Sequence, residues 1–143
     1  MNANSPGRHA ALKKSLLGLA LLVLGLASYA ADKVKIGFVS TLSGPSSALG
    51  VDIRDGFLLS VKLHGGKLGG LPAEVLVSDD QFKPEVARQL FERNVKRDRV
   101  DFMTGVVFSN IMLAALPEAL DNKVIYISPN AAPSSMADRK SVV

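Results

Sequence analysis

The sequence predicts an α/β protein: a parallel sheet with helices on both faces, in the order βαβαβαβ. Three observations point there. Short apolar runs alternate with longer segments that are apolar at every third or fourth residue. The strand-like runs are apolar almost without break, as in strands buried on both faces. Each connection is long enough for a helical crossover between parallel strands, and such crossovers are right-handed.

The first strand is Val34–Ser40, where Val34, Ile36 and Phe38 alternate and Val39 extends the apolar run. Thr41–Gly50 follows as a polar, turn-rich loop, Thr-Leu-Ser-Gly-Pro-Ser-Ser-Ala-Leu-Gly. It fits neither G-x-G-x-x-G nor G-x-x-x-x-G-K-[ST], so it does not indicate a nucleotide-phosphate cradle. Asp52–His64 reads as a helix, with Ile53, Phe57, Leu58 and Val61 on its apolar side and Asp52 or Gly50 as its cap. The run Gly65–Gly70 breaks the chain. Leu71–Ser78 is the second strand, ending in Asp79-Asp80-Gln81-Phe82. Pro84 suits the first turn of a helix reaching about Arg97, with Val86, Leu90, Phe91 and Val95 as its buried stripe.

Val100–Thr104 is the third strand, broken by the charge of Asp101 and ended by Gly105. Ser109 and Asn110, both good capping residues, open the apolar-periodic run Ile111–Leu120. A strand therefore runs through a short loop into a helix N-terminus. In open α/β sheets ligands sit at such places, because the first turn offers unpaired backbone N–H groups and a partial positive charge. The alternative is a plain connection in which Ser109 only caps its helix. Val124–Ile127 is the fourth strand, and Ser128-Pro-Asn-Ala-Ala-Pro-Ser-Ser135 is the loop beyond it.

Three strand-end loops share one chemistry: Ser43–Ser47, Phe108–Asn110 and Ser128–Asn130 are small, hydroxylated and neutral. All belong to the carboxyl edge of the expected sheet. Together they suggest a shallow polar shelf for a small anion or zwitterion.

Composition narrows the function classes. Hydrophobic content of 48% and charged content of 21% are those of a globular protein. Without cysteine, disulfides, thiolate metal sites and cysteine nucleophiles are excluded. The net charge of +4 owes three of its positive charges to Arg8, Lys13 and Lys14; without them the excess is +1 and the signs are mixed along the chain. With no basic stripe interleaved with aromatics, nucleic acid is not an expected partner. Arg8, Lys13 and Lys14 precede the apolar run Leu16–Ala27, and Ser28 and Ala30 place small residues before Ala31. This is the pattern of a secretory signal peptide cleaved between Ala30 and Ala31, too short to span about 30 Å of hydrocarbon as an anchor. The expected domains are a signal peptide over 1–30 and one α/β unit over 31–143. The mature protein is expected outside the cytoplasmic membrane and not anchored to it.

Four separated motifs resemble those of the periplasmic solute-binding proteins of branched-chain amino acid ABC importers, the type I periplasmic binding proteins. They are Lys35–Pro45, the strand-end Asp79-Asp80, Thr104-Gly105 with Ser109, and Ile127-Ser-Pro-Asn-Ala131. The resemblance covers about residues 33–138 and implies one lobe, the N-terminal, of a two-lobed protein, hence a fragment or a truncated gene product. It implies a substrate-binding component that captures a branched-chain or other apolar amino acid, or an aromatic carboxylate, in the periplasm and delivers it to a membrane permease, with no cofactor, no metal and no catalysis. By the same resemblance Ser109 and the neighbouring N–H groups receive the ligand carboxylate and Ala131 offers backbone contacts. Ser43, Ser47, Leu49, Phe82, Phe108, Asn110, Asn130 and Ala132 complete the expected site. Two positions depart from the amino acid binders: Ala132 stands where they carry Ser or Thr, and Leu49 where they carry an aromatic residue. Ala132, with Phe82 and Phe108 nearby, shifts the expectation towards aromatic or other apolar carboxylates.

Other classes leave weaker traces. A secreted hydrolase would need a base, yet there is no G-x-S-x-G elbow, and His64, at a helix end, is the only histidine outside the signal segment. Asp79-Asp80 reads as a solvated strand end more readily than as a metal corner. Met103 and Phe108 fit core and pocket equally well. A sensor lobe fused to a receptor is the remaining alternative.

Overall fold

The computed structural model describes residues 32–134. The expected signal segment, its expected cleavage point and residues 135–143 lie outside them. In chain order the elements are β1 (Val34–Ser40), α1 (Ala48–Leu63), β2 (Lys67–Leu68), β3 (Leu71–Asp79), α2 (Pro84–Glu92), a π-helical turn (Arg93–Asp98), β4 (Phe102–Thr104), α3 (Ser109–Asp121) and β5 (Ile125–Ile127). They form one sheet in the order β2-β3-β1-β4-β5. β1 pairs parallel with β3 and with β4, and β4 pairs parallel with β5. The four expected strands are all present. The one addition is β2, a two-residue antiparallel edge against Pro72 and Leu71, formed where the glycine run was expected only to break the chain. Gly65, Gly66, Gly69 and Gly70 all have positive φ, so the run folds back on itself as a hairpin.

Register explains the layers. Residues paired in a parallel ladder share a face, so Ile36 and Phe38 lie with Val75, Val77, Phe102, Thr104, Ile125 and Ile127. Val39 lies on the other face with Met103, and these two join Ala87 and Phe91 of α2, Val95 of the π turn and Ile111, Ala115 and Ala119 of α3 in one buried cluster. On the first face α1 sits over β1, its Phe57 ring 5.6 Å from that of Phe38. Helices thus cover both faces. The cover is uneven: beyond α1, Ile125 is 66% and Ile127 56% exposed. β1, at the centre, is the strand buried on both faces, with Ile36, Phe38 and Val39 at 0–1% exposure.

The first helix begins four residues earlier than its periodicity suggests, at Ala48 rather than Asp52. The cause is Gly50. It is buried inside the first turn, where an added Cβ would come within 2.1 Å of the Thr41 carbonyl oxygen. Gly50 therefore neither caps nor breaks the helix: it lets the helix backbone press against the end of β1. Ser47 takes the cap position without a side-chain hydrogen bond, and Asp52 lies within the helix.

The two glycines of α1 make opposite predictions. Gly50→Ala drives a Cβ into backbone and should cost about 1–3 kcal/mol. Gly56 has nothing within 4 Å of its would-be Cβ, so Gly56→Ala should gain about 0.5–1 kcal/mol from helix propensity. Urea midpoints of the two variants check this. A neutral Gly50→Ala would mean that α1 does not rest on Thr41.

Candidate functional site

The parallel pairing of β1, β3, β4 and β5 brings all four carboxyl ends to one edge. The chain first moves from β1 outward to β3, then returns past β1 to β4. The order reverses between β1 and β4, and the crevice beyond their carboxyl ends is the switch point where ligands bind in such sheets. The loop after β4 leads there. Gly105 has φ 109°, and a Cβ on it would lie 2.7 Å from the Val39 carbonyl oxygen, so the loop is pressed against β1. Val106 and Val107 are buried, and the chain emerges at Phe108.

Phe108, not Ser109, is the N-cap of α3. Its backbone is extended, its carbonyl accepts from the Met112 N–H at 3.0 Å, and no side chain caps the helix. Ser109 and Asn110 are the first two helical residues, both exposed, while Ile111 is fully buried and anchors the turn. This corrects the expectation of a Ser109 or Asn110 cap. With no hydroxyl or carboxylate folded back on the first turn and no acid within it, the N–H groups of that turn remain available to an external acceptor. A 13-residue helix supplies a dipole that favours an anion there.

The flanking loops are tied to this turn. The Asn130 Nδ2 donates to the Val107 carbonyl at 2.7 Å, joining the β5 loop to the β4 loop. The Thr104 hydroxyl donates to the Ile127 carbonyl at 2.7 Å. The Ser128 hydroxyl donates to the Ala131 carbonyl, and Ala131 is only 2% exposed. Beneath them Tyr126 packs its ring 5.9 Å from Phe91, and burial pushes its phenol up to about 12.

Across the crevice, β3 ends in two carboxylates with different surroundings. Asp79 Oδ1 accepts from the Leu42 and Gln81 N–H groups, each at 2.8 Å. Burial opposes its ionisation, but these bonds and the Ser43 hydroxyl outweigh it and hold Asp79 below the usual aspartate range. Asp80 is fully buried, which corrects the reading of this doublet as a solvated strand end. Its Oδ1 accepts from the Thr41 hydroxyl at 2.6 Å and the Phe82 N–H at 2.8 Å, and its Oδ2 has no partner. Burial, with a smaller push from Asp79, raises the Asp80 carboxyl above its ordinary value against the two hydrogen bonds. Phe82, 44% exposed, meets Phe108 edge to face, ring centroids 4.7 Å apart at 79°.

The expected site residues therefore divide. Phe82 and Phe108 are in contact, with Ser109 and Asn110 directly after Phe108 in the chain, and the Asn130 loop is bound to the same segment. Ser43 is exposed but its hydroxyl serves Asp79, and half-buried Ser47 sits at the α1 cap position. Leu49 lies in the first turn of α1, 45% exposed, instead of in a loop. Ala131 is core, and its carbonyl accepts from the Ser128 hydroxyl; Ala132 is exposed. Sequence reasoning missed the buried Thr41–Asp80 bond. The signal that could have found it was Thr41 directly after β1 and the acidic doublet directly after β3. Among the described residues no group of three histidines or acids could hold a metal ion. A separate groove of about 510 Å³, lined by Lys35, Glu74, Arg93, Asn94, Arg97 and Asp98, lies beside β3 and the π turn, where Asp98 pairs with both arginines.

An open parallel sheet with a helix N-terminus free of side-chain caps at its switch point is the arrangement in which α/β proteins receive small anionic groups. The sequence profile described as periplasmic binding protein matches residues 33–141, and the chain belongs to that family, among its branched-chain amino acid type. It is 29% identical over 132 residues to Leu/Ile/Val-binding protein homolog 6 of Brucella abortus (strain 2308), covering 92% of this chain and 34% of that protein. It is 30% identical over 129 residues to the leucine-, isoleucine-, valine-, threonine-, and alanine-binding protein of Pseudomonas aeruginosa, covering 87% of this chain and 34% of the relative. The chain thus spans about a third of the length of the curated relatives it matches. Among solved structures, it is similar to a solute binding protein of an ABC transporter from Rhodopseudomonas palustris BisB5 in complex with 3,4-dihydroxy benzoic acid. The TM-score is 0.72 at 28% identity, over 78% of this chain and 31% of that one. It is also similar to the branched-chain amino acid transporter substrate binding protein LivJ from Streptococcus pneumoniae in complex with isoleucine, with a TM-score of 0.68 at 27% identity, over 73% of this chain and 30% of that one.

The raised Asp80 carboxyl gives a pH prediction. A group that holds its proton to higher pH when folded contributes stability that is complete below its unfolded value, near 4, and is lost as pH rises through the folded value. Asp80→Asn keeps the Oδ1 acceptor and removes this titration. The stability of the wild type minus that of Asp80→Asn, from urea unfolding at several pH values, should therefore fall as pH rises above about 4. A difference that is flat or grows with pH would show that burial does not raise the Asp80 carboxyl above its ordinary value.

Proposed function

We propose that this chain is the ligand-receiving N-terminal lobe of a periplasmic substrate-binding component of an ABC importer, taking a small carboxylate with an apolar side group. The observation that carries this is the uncapped α3 N-terminus at the switch point. The ligand carboxylate accepts from the first-turn N–H groups and the Ser109 hydroxyl, and its apolar part lies against Phe82 and Phe108. Branched-chain or other apolar amino acids and aromatic carboxylates both fit that division, in keeping with what the relatives bind. The Phe82–Phe108 pair and Ala132, which offers no hydroxyl to an α-amino group, favour the aromatic or apolar carboxylate.

Binding without catalysis is the part of this reading that His64 supports. Its Nδ1 lies 2.8 Å from the Ser60 carbonyl at the end of α1, and α1 runs from the carboxyl edge of the sheet back towards the other edge. The described lobe thus places no imidazole beside Ser109. Secretion fits the same role: residues 1–30 act as a signal peptide, residues 31–143 form the lobe, and a membrane permease accepts the delivered solute. N-terminal sequencing of the exported protein should begin at Ala31; a start at Met1 would contradict export by cleavage there.

The described lobe offers one open wall, so its affinity is bounded. A net hydrogen bond contributes about 1 kcal/mol. Two or three of them fall short of the roughly 8 kcal/mol of micromolar binding once association entropy is subtracted. Benzoate titrated into the mature product, residues 31–143, should therefore bind with a millimolar Kd and shift the backbone amide resonances of Ser109, Asn110 and Ile111. Ser109→Asp, which puts a carboxylate where the ligand's belongs, should weaken binding at least tenfold. Micromolar affinity would overturn the one-wall argument; shifts confined to the groove around Arg93 and Arg97 would overturn the site.

A further inference from the structure

We infer that Asp80 is the positioning residue of this site: without touching ligand, its buried carboxylate fixes the Phe82–Phe108 ring pair that forms the apolar wall. The inference rests on the carboxylate-binding reading and goes beyond it by naming what sets the wall.

Gln81 and Phe82 have φ of 56° and 59°, two successive non-glycine residues in the left-handed region. Side chains disfavour that region, and a phenylalanine there is unusual. The turn is held by its own acids. The Asp79 carboxylate takes the Gln81 N–H, the Asp80 carboxylate takes the Phe82 N–H, and the Asp80 carbonyl takes the Lys83 N–H at 2.9 Å. Only Asp80 is fully buried, and only its Oδ1 also takes the Thr41 hydroxyl. Asp79 Oδ1 and Asp80 Oδ1 thus each join the chain leaving β1 to the turn after β3, and it is Asp80 Oδ1 that holds the Phe82 N–H. Through the Phe82 ring the same turn reaches Phe108, which occupies the N-cap position of α3 immediately before Ser109.

Exposure identifies what does the holding. Phe82 is 44% exposed, so burial alone does not pin its ring. Its backbone is pinned, and the ring follows into edge-to-face contact with Phe108. The arrangement is kept although Asp80 Oδ2 finds no partner in the interior, a cost that a turn with no further task would not need. A ligand whose carboxylate meets the α3 N-terminus meets this ring pair with its side group. Asp80 therefore acts on the side group and not on the carboxylate.

The test compares Asp80→Asn, which retains the Oδ1 acceptor, with Asp80→Ala, which removes it. The first readout needs no ligand: the ring-current shifts that Phe82 and Phe108 induce in each other by NMR, with the Ile111 methyl shifts as a check on the fold. The second is the ratio of benzoate to acetate Kd. Asp80→Ala should abolish the mutual ring shifts and weaken benzoate about tenfold while leaving acetate unchanged; Asp80→Asn should keep both. Ring shifts and ratio unchanged in Asp80→Ala would overturn the inference, as would equal losses for benzoate and acetate. If the wild type binds neither acid, the carboxylate reading fails while the ring shifts still decide the role of Asp80. Should Asp80→Ala not fold, Thr41→Val removes the other donor to the same oxygen; reduced ring shifts then support the inference and unchanged ones overturn it.

Discussion

Parallel pairing about β1 is the constraint on which the rest depends. It sends every strand's carboxyl end to one edge and every return helix along a face. It makes β1 the most buried element and leaves its exit at Thr41 hemmed in from two sides. Gly50 of α1 presses on the Thr41 carbonyl, and Asp80 takes its hydroxyl. Gly105 presses on the carbonyl of Val39, near the end of the same strand. These close approaches leave the crevice between β1 and β4 with little slack, and a receptor of a small rigid ligand benefits from such preorganisation.

Stability is spent at that edge. The Asp80 carboxylate is buried with one oxygen unpartnered, two residues after β3 sit in the left-handed region, and the first turn of α3 is left uncapped. A capping serine or aspartate at position 108 would strengthen the helix by about 1 kcal/mol but would fill the turn with its own oxygen. Phe108 forgoes that and places a ring there instead. The compensating burial lies below, where Val39, Phe91, Met103, Ile111 and Ala115 form the core under the site.

Much of the fold was legible because its strands are nearly continuous apolar runs and its helices strongly periodic. The parallel direction of the strands, and with it the shared edge, followed from crossover length; their order in the sheet did not. What was not legible arose from contacts distant in sequence. Nothing near Gly50 announces that Thr41 will lie against it, so the helix start was placed too late and Leu49 was put in a loop. Asp79 and Asp80 are identical as letters, yet one is held ionised by backbone donors and the other is enclosed. Ser109 looked like a cap because cap residues and first-turn residues differ by one position, which only backbone dihedrals resolve. The burial of Ala131 was not legible either, since it depends on loops from β4 and β5 folding together through Asn130.

The central claim is that the first-turn amides of α3 are kept free for a ligand's carboxylate. Site-resolved hydrogen exchange tests it most directly. In the free protein the amides of Ser109, Asn110 and Ile111 should exchange fast, while those of Ala115 and Leu116 in the same helix are protected. Saturating benzoate should slow the first-turn set selectively. Amides already protected without ligand, or unchanged at saturation while others slow, would contradict the account.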